Sequence, residues 1–467
     1  MKYKNITKPF FILFAVAFVS FSLLTSCDES LLEGKVDESD YVIPEYNIGY
    51  LVDGKGKKDI DFVEFRDEGT VDMYLSLTNN ASGNAVASIK YDSKVLDIYN
   101  SEYNSDYALF PESLVSFEGD LEVSNGSKKS SKASVKFLTG EELDSEITYV
   151  IPVSTELKSG SITLAEKESK YLIFVKDLSK VPTAAKSTGI EIISCMEIND
   201  TNPLNNLNFT LKSNGKPLID QVILFSANIN YSSETGKVYV YNNPNVEHLL
   251  ANRDKYLKPL QDRGIKVILG ILGNHDRSGV ANLSDETARI FAQELKAVCD
   301  AYNLDGIFYD DEYSAYQNPP PPGFVSPSAA AASRLCYETK RAMPDKLVQA
   351  YVYGLTRSLP AVDGIPSGEF VDYGIHDYRV GSDLSSNYPG MPKSRMALYS
   401  QEFNRGYWTS KSNLVNMRNN GYGAHMIFAM DPFRTNRARQ ITAMQDIASA
   451  LFDDELVVDT NYHKKDW

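Results

Sequence analysis

From residue 190 to residue 430 the chain repeats one pattern, a short apolar run followed by a longer polar or amphipathic stretch. The runs occupy 190–198, 221–229, 265–272, 306–312, 347–353, 370–378, 395–401 and 423–430. Strands that alternate with helix-length segments are the mark of a parallel sheet covered by helices. Eight such units over roughly 270 residues predict an α/β fold, a closed (β/α)8 or TIM barrel, which usually takes about 250 residues. The helical segments carry their own start signals. Ser284 is placed to cap a helix whose first turn holds Asp285 and Glu286, and Phe291, Leu295, Val298 and Tyr302 mark its buried face. Ser326-Pro327 is expected to open the next helix with a cap and a first-turn proline.

One run differs from the rest. Leu304-Asp305-Gly306-Ile307-Phe308-Tyr309-Asp310-Asp311-Glu312-Tyr313 is mostly apolar until Asp310 and then turns acidic. Successive side chains on a strand alternate faces, so Gly306, Phe308, Asp310 and Glu312 share one side while Ile307, Tyr309 and Asp311 take the other. Asp310 and Glu312 are then same-face neighbours, ~6.5 Å apart along the backbone. Carboxylates that close raise the proton affinity of one of them, as a general acid near neutral pH requires. They also fall at the C-terminal end of the fourth strand, the rim where barrels place catalytic groups. By residue type alone, a strand running out into a solvated acidic turn fits equally well.

The stretch resembles the active-site strand of glycoside hydrolase family 18, whose pattern is Asp-Gly-x-Asp-x-Asp-x-Glu. Asp305, Gly306, Asp310 and Glu312 match it, and Phe308 stands in the slot of the middle Asp. The likeness continues through 221–231 (QVILFSANINY), 260–275 (LQDRGIKVILGILGNH), 304–316 and Met343-Pro344-Asp345-Lys346. Their order and spacing are similar to the endo-β-N-acetylglucosaminidases of the endoglycosidase H and F1 branch, over about residues 188–455. The resemblance implies cleavage between the two core N-acetylglucosamines of asparagine-linked glycans, high-mannose or hybrid. It implies retention of configuration with the substrate's own 2-acetamido oxygen as nucleophile, and no cofactor. Glu312 would be general acid and then base, while Asp310 would orient the acetamido N–H and stabilise the oxazolinium. Phe308 removes one like charge beside Asp310, which then needs another partner. Complex-type glycans or chitin-like polymers are the alternative substrates; a barrel that captures glycan without cutting it is the alternative outside enzymes.

Other strand ends supply groups suited to sugars, since aromatic faces stack on pyranose rings and amides satisfy hydroxyls. They are Asn228 and Asn230 after the second run, Asn274 and His275 after the third, Tyr313 after the fourth, and Tyr351 and Tyr353 on the fifth. His376 and Tyr378 end the sixth run, and Met430 and Asp431 end the eighth. For each, core packing competes with substrate contact. The resemblance favours His376 and Tyr378, because strand six of the family binds the reacting acetamido.

Ahead of the barrel, residues 41–178 read as short alternating strands. Val71, Met73, Leu75 and Leu77 are apolar at period two, Tyr149, Ile151 and Val153 repeat the pattern, and turn clusters lie between such runs. A small all-β sandwich is expected, interrupted by one helix over Val95 to Tyr107, and similar to modules that precede family 18 barrels in surface lipoproteins. Its role is either a spacer or direct glycan binding. Residues 179–187 are expected to be a linker, 188–455 the barrel and 456–467 a C-terminal tail.

The first 27 residues read as a leader. Lys2, Lys4 and Lys8 precede the apolar run 10–24, and Leu24-Thr25-Ser26-Cys27 resembles a lipoprotein cleavage box with Cys27 as the lipidated residue. Residues 28–40 form an acidic tether, and an outer-membrane, surface-exposed address follows, with the membrane reached through the lipid alone and other glycan-uptake proteins as possible neighbours. Losing the three leader lysines takes the formal charge from −15 to −18, which argues against nucleic acid and suits a neutral glycan. Cys195, Cys299 and Cys336 read as core thiols, and the histidine spacing supports no metal site.

Overall fold

The computed structural model describes residues 47–467. The leader, Cys27 and the tether fall outside the described residues.

Two sheets face each other in the N-terminal half. One runs in the order 163–164, 48–53, 68–77, 133–138, 115–118, and the other in the order 60–65, 170–177, 149–159, 85–91, 121–123. Val71, Met73, Leu75 and Leu77 enter the core between them, as their period-two spacing predicts. The strand Lys170–Asp177 has both faces covered. Its Tyr171, Ile173 and Val175 face the inter-sheet core, whereas Leu172 and Phe174 lie under a helix on the outer side. That helix is Ser93–Tyr103, capped by Asp92, whose side chain accepts from Lys94 N, and ended by Asn104 in a left-handed conformation.

The barrel strands are β1 (Glu191–Glu197), β2 (Gln221–Ser232), β3 (Lys266–Leu272), β4 (Gly306–Asp310), β5 (Leu347–Tyr351), β6 (Tyr373–Ile375), β7 (Met396–Ala397) and β8 (Ala424–Phe428). Each pairs in parallel with the next, and β1 pairs with β8 to close the sheet. The expected seventh run is delivered in two pieces. Tyr399 adopts a φ of 56°, which breaks the strand, and Gln401–Glu402 resumes beside β8. Alternation sorts side chains into two cores. Ile193, Cys195, Ile268, Phe308, Ile375 and Met426 fill the lumen, while their neighbours Ile192, Ile307, Tyr309 and Val348 meet the helices outside.

Three aspartates clip the N-terminal floor of the barrel in one recurring way. Asp220, just ahead of β2, accepts from Ile192 N of β1 (2.7 Å), and Asp305, ahead of β4, accepts from Val267 N of β3 (2.8 Å). Asp372, ahead of β6, accepts from Val348 N of β5 (2.8 Å). Asp305, half of the Asp-Gly pair in the resembling motif, is therefore a floor clip far down the strand from the rim.

Packing overturns one expectation and shows how two connecting stretches are fastened. The helix after β4 is Ala329–Ala342 and its cap is Ser328, which accepts from Ala331 N (3.2 Å), so Pro327 lies ahead of the cap. The 179–187 stretch is fastened at its end, because Ala184 joins the barrel core and the buried Lys186 reaches Asp220 at 2.6 Å. Residues 456–467 form a strap: Leu456–Val458 pairs with Phe209–Leu211, and the Trp467 ring stacks on His248 at 5.5 Å. The sandwich docks at the barrel floor. Tyr107 Oη donates to Asp345 Oδ1 (2.7 Å), Thr148 Oγ1 to Asp345 Oδ2 (2.9 Å), and Glu64 meets Lys266 at 2.8 Å.

Candidate active site

At the opposite, C-terminal mouth, β4 delivers the two carboxylates. Phe308 is sealed in the lumen against Phe225 and Tyr351, with ring centroids 6.4 and 6.3 Å away, so it forms an apolar plug directly beneath Asp310. Asp310 is buried, and its Oδ1 has no hydrogen-bond partner among the described residues. Burial, together with the charges of Glu312, Asp311 and Asp377, pushes its proton affinity well above the carboxylate range. Glu312, half-buried at the start of the loop, is also pushed up by burial and by Asp377, with Arg405 pulling the other way. Asp311 turns outward as alternation requires. It accepts from Leu355 N (2.7 Å) and from the Tyr316 hydroxyl, which ties the loops after β4 and β5 together.

A third carboxylate, Asp377, follows the end of β6. Asp377 faces the carboxylate pair and accepts from the Tyr351 hydroxyl (2.6 Å), and Tyr351 lies close enough to Asp310 for that carboxylate to raise its proton affinity. Tyr378 is in hydrogen-bond contact with Tyr351. Sequence reasoning missed Asp377, although a signal was there. Tyr373 and Ile375 point into the lumen, so the next inward position is Asp377 and the intervening His376 must point out. His376 is indeed buried away from the pair, its Nε2 against Ser382 O at 2.9 Å, and burial lowers its proton affinity.

The remaining strand-end residues divide by what they touch. Tyr353 stacks on Tyr351 at 5.9 Å, and Tyr378 stacks on Tyr407 at 5.8 Å, so aromatic faces gather around the mouth on the β5 to β7 side. His275 and Tyr313 meet edge to face at 5.6 Å on the β3 and β4 side. Asn274 donates to Asn230 Oδ1 (3.1 Å) at the exposed lip. Asn228 is spent on scaffolding, because its amide donates to Gly273 O (3.1 Å) and Leu272 O (3.3 Å). Met430 belongs to the outer core and not to the mouth. Ala429, at a φ of 56°, breaks the alternation that would have turned it inward. Asp431 closes a turn by accepting from Phe433 N (2.9 Å) and Arg434 Nε (3.0 Å). Cys195, Cys299 and Cys336 are free and buried.

A second acidic group unanticipated by the sequence stands at the far wall. Glu197 ends β1 on the lumen side and is pushed up to about 7 by burial and by Asp200 and Glu402. Glu402 accepts from Asn404 N (2.8 Å) and Arg405 N, which holds the turn that carries Arg405.

A closed (β/α)8 barrel whose mouth gathers a buried Asp, a half-buried Glu and stacked tyrosines, with an apolar plug below, defines a glycoside hydrolase. Comparison with known proteins narrows the class. The chain is 62% identical to endo-β-N-acetylglucosaminidase F1 of Elizabethkingia meningoseptica over 287 residues, covering 61% of this chain and 85% of that protein. It is 32% identical to an endo-β-N-acetylglucosaminidase of Flavobacterium sp. (strain SK1022) over 249 residues, 53% of this chain and 76% of that one. Among solved structures, EndoBT-3987 of Bacteroides thetaiotamicron with Man5GlcNAc product superposes with a TM-score of 0.82 at 38% identity, covering 89% of this chain and 97% of that chain. The same protein in complex with Man9GlcNAc2Asn substrate gives 0.76 at 36%, with the same coverage. A family model described as a "-like, N-terminal domain" matches residues 33–162. The chain belongs to the endo-β-N-acetylglucosaminidase family.

Proposed function

We propose that the chain hydrolyses the bond between the two core N-acetylglucosamines of high-mannose N-glycans, with retention of configuration and with the substrate's acetamido group as nucleophile. The observation that carries this reading is the Asp310–Glu312 pair at the end of β4, with a buried acceptor oxygen on Asp310 that nothing among the described residues satisfies. An amide N–H is the donor such an oxygen lacks, and the sugar to be attacked carries one. With the N–H held on Asp310, the acetamido oxygen adds to C1 as the C1–O bond to the leaving sugar breaks. Glu312 gives its proton to that leaving oxygen. The oxazolinium places positive charge beside Asp310, which stabilises it more strongly out of water. Glu312, now a carboxylate, takes a proton from water as the water oxygen adds to C1, and the acetamido group is released. Asp377 and Tyr351 stand behind Asp310 and take the place of the absent middle Asp.

The relatives support the substrate class, since EndoBT-3987 is described with Man5GlcNAc product and with Man9GlcNAc2Asn substrate. Incubation of the purified protein with a high-mannose glycoprotein is the test. The expected result is loss of all but one N-acetylglucosamine per site by mass; an intact glycoprotein would refute the reading.

We further infer that the chain is carried as a lipoprotein on the outer membrane, exposed at the cell surface, with Cys27 lipidated, because residues 1–27 have the charged, apolar and small-residue order of a lipoprotein leader. Protease shaving of intact cells checks the address: accessibility is expected, and full protection contradicts it.

A further inference from the structure

Tyr313 is an expensive residue at its position. Its φ is 59°, a left-handed conformation that is strained for an L-residue of this size and that Gly or Asn adopts readily. Nor does burial compensate, because the side chain is 57% exposed. His275, its ring partner, is also exposed and also left-handed, at a φ of 53°.

The two backbones are locked to each other and to the acid. Gly273 N donates to Glu312 O (3.0 Å), His275 N to Tyr313 O (2.6 Å), and Ala315 N to Asp276 O (2.7 Å). The contact is so close that a Cβ on Gly273 would lie 2.4 Å from Glu312 O. Asn228 secures the other side by donating to Gly273 O. The backbone that carries the two rings is therefore held in fixed relation to the backbone of Glu312. Their edge-to-face contact covers at most one face of Tyr313, so the other is open.

Position along the bond decides what that face meets. Asp310, with Tyr351 and Asp377, holds the sugar being attacked on the β5 and β6 side. Glu312 protonates the oxygen on the far side of the broken bond. On the reading above, the chain beyond Glu312 at the β3 and β4 lip is the side left for the leaving sugar.

From this arrangement we propose that Tyr313, supported by His275, is the platform for the leaving N-acetylglucosamine, the sugar that stays on asparagine. The proposal rests on the chitobiose-cleaving reading above, and two substrates separate the two. One is a high-mannose glycopeptide with both core sugars. The other is the preformed oxazoline of the same glycan, which enters after the leaving group has gone but still needs Glu312 as base. Y313A is expected to lose about tenfold more in kcat/KM on the glycopeptide than on the oxazoline, mainly through KM, the effect of one lost aromatic face. Y313F, which keeps the ring, holds the wild-type ratio, and H275A shows a smaller loss of the same kind. Equal losses on both substrates would overturn the proposal and make Tyr313 a support for Glu312 alone; the absence of a loss on either would overturn it too. Failure of the wild type to cut the glycopeptide between its core sugars would instead overturn the underlying reading.

Discussion

At the floor of the barrel Asp220 meets Lys186 at 2.6 Å and Asp372 meets Lys340 at 2.8 Å, while at the mouth Asp310, Glu312 and Asp377 face one another. Burial alone would raise Asp372, but Lys340 and Arg395 overcome it and hold its carboxyl below the usual range. Asp310 is buried just as deeply, and every charge acting on it pushes the same way as burial. The same residue type at the two ends of one sheet thus does opposite work. Paired and clipped to backbone N–H groups, an Asp joins neighbouring strands. Left unpaired among like charges, it retains an unmet demand for a donor that a substrate can satisfy.

Breaking the mouth should cost rate and leave the fold intact. E312Q is expected to lower kcat by ~10³-fold or more, within the range attributed to a positioned general acid, with no loss in Tm. Glycan release beside a melting curve checks both halves, and cleavage surviving at near wild-type rate would remove Glu312 from its role. Breaking the floor should do the reverse. D372N strips Lys340 of its partner and is expected to cost ~3–5 kcal/mol in denaturant unfolding while kcat/KM below the melting range stays near wild type. The charge of Asp372 stabilises the fold above its unfolded pKa, and that contribution is lost as pH falls through the lowered folded value. The difference between D372N and wild type should therefore shrink in acid. A subtler effect is expected at Arg405, the cation that pulls Glu312 down. R405Q should move the alkaline limb of the pH–rate profile upward, and an unmoved limb would show that Arg405 does not reach the acid.

Much of the barrel was legible because its strands are apolar and the segments between them are long. All eight runs contain strands, and Asp310 ends the fourth at the C-terminal rim, with Glu312 in the loop that follows. What escaped depended on backbone conformation or on partners distant in sequence. A left-handed Ala429 sent Met430 into the outer core, and a left-handed Tyr399 split the seventh strand. The tail looked free because nothing in its own residues announces Asn205 and His248, which hold it from elsewhere in the chain. Asp377 was a different kind of miss. Resemblance pointed to its neighbours, whereas counting by twos from Ile375 would have found it, and it supplies the carboxylate that Phe308 does not.

The contrast between paired floor and unpaired mouth is tested most directly by the pH dependence of kcat/KM for D377N beside wild type. Asp377 raises the proton affinity of both Asp310 and Glu312, so neutralising it should shift the alkaline limb to lower pH, with Glu312 giving up its proton earlier. A limb that stays in place, or moves to higher pH, would contradict the claim that repulsion among unpaired carboxylates adds to burial in keeping the acid protonated.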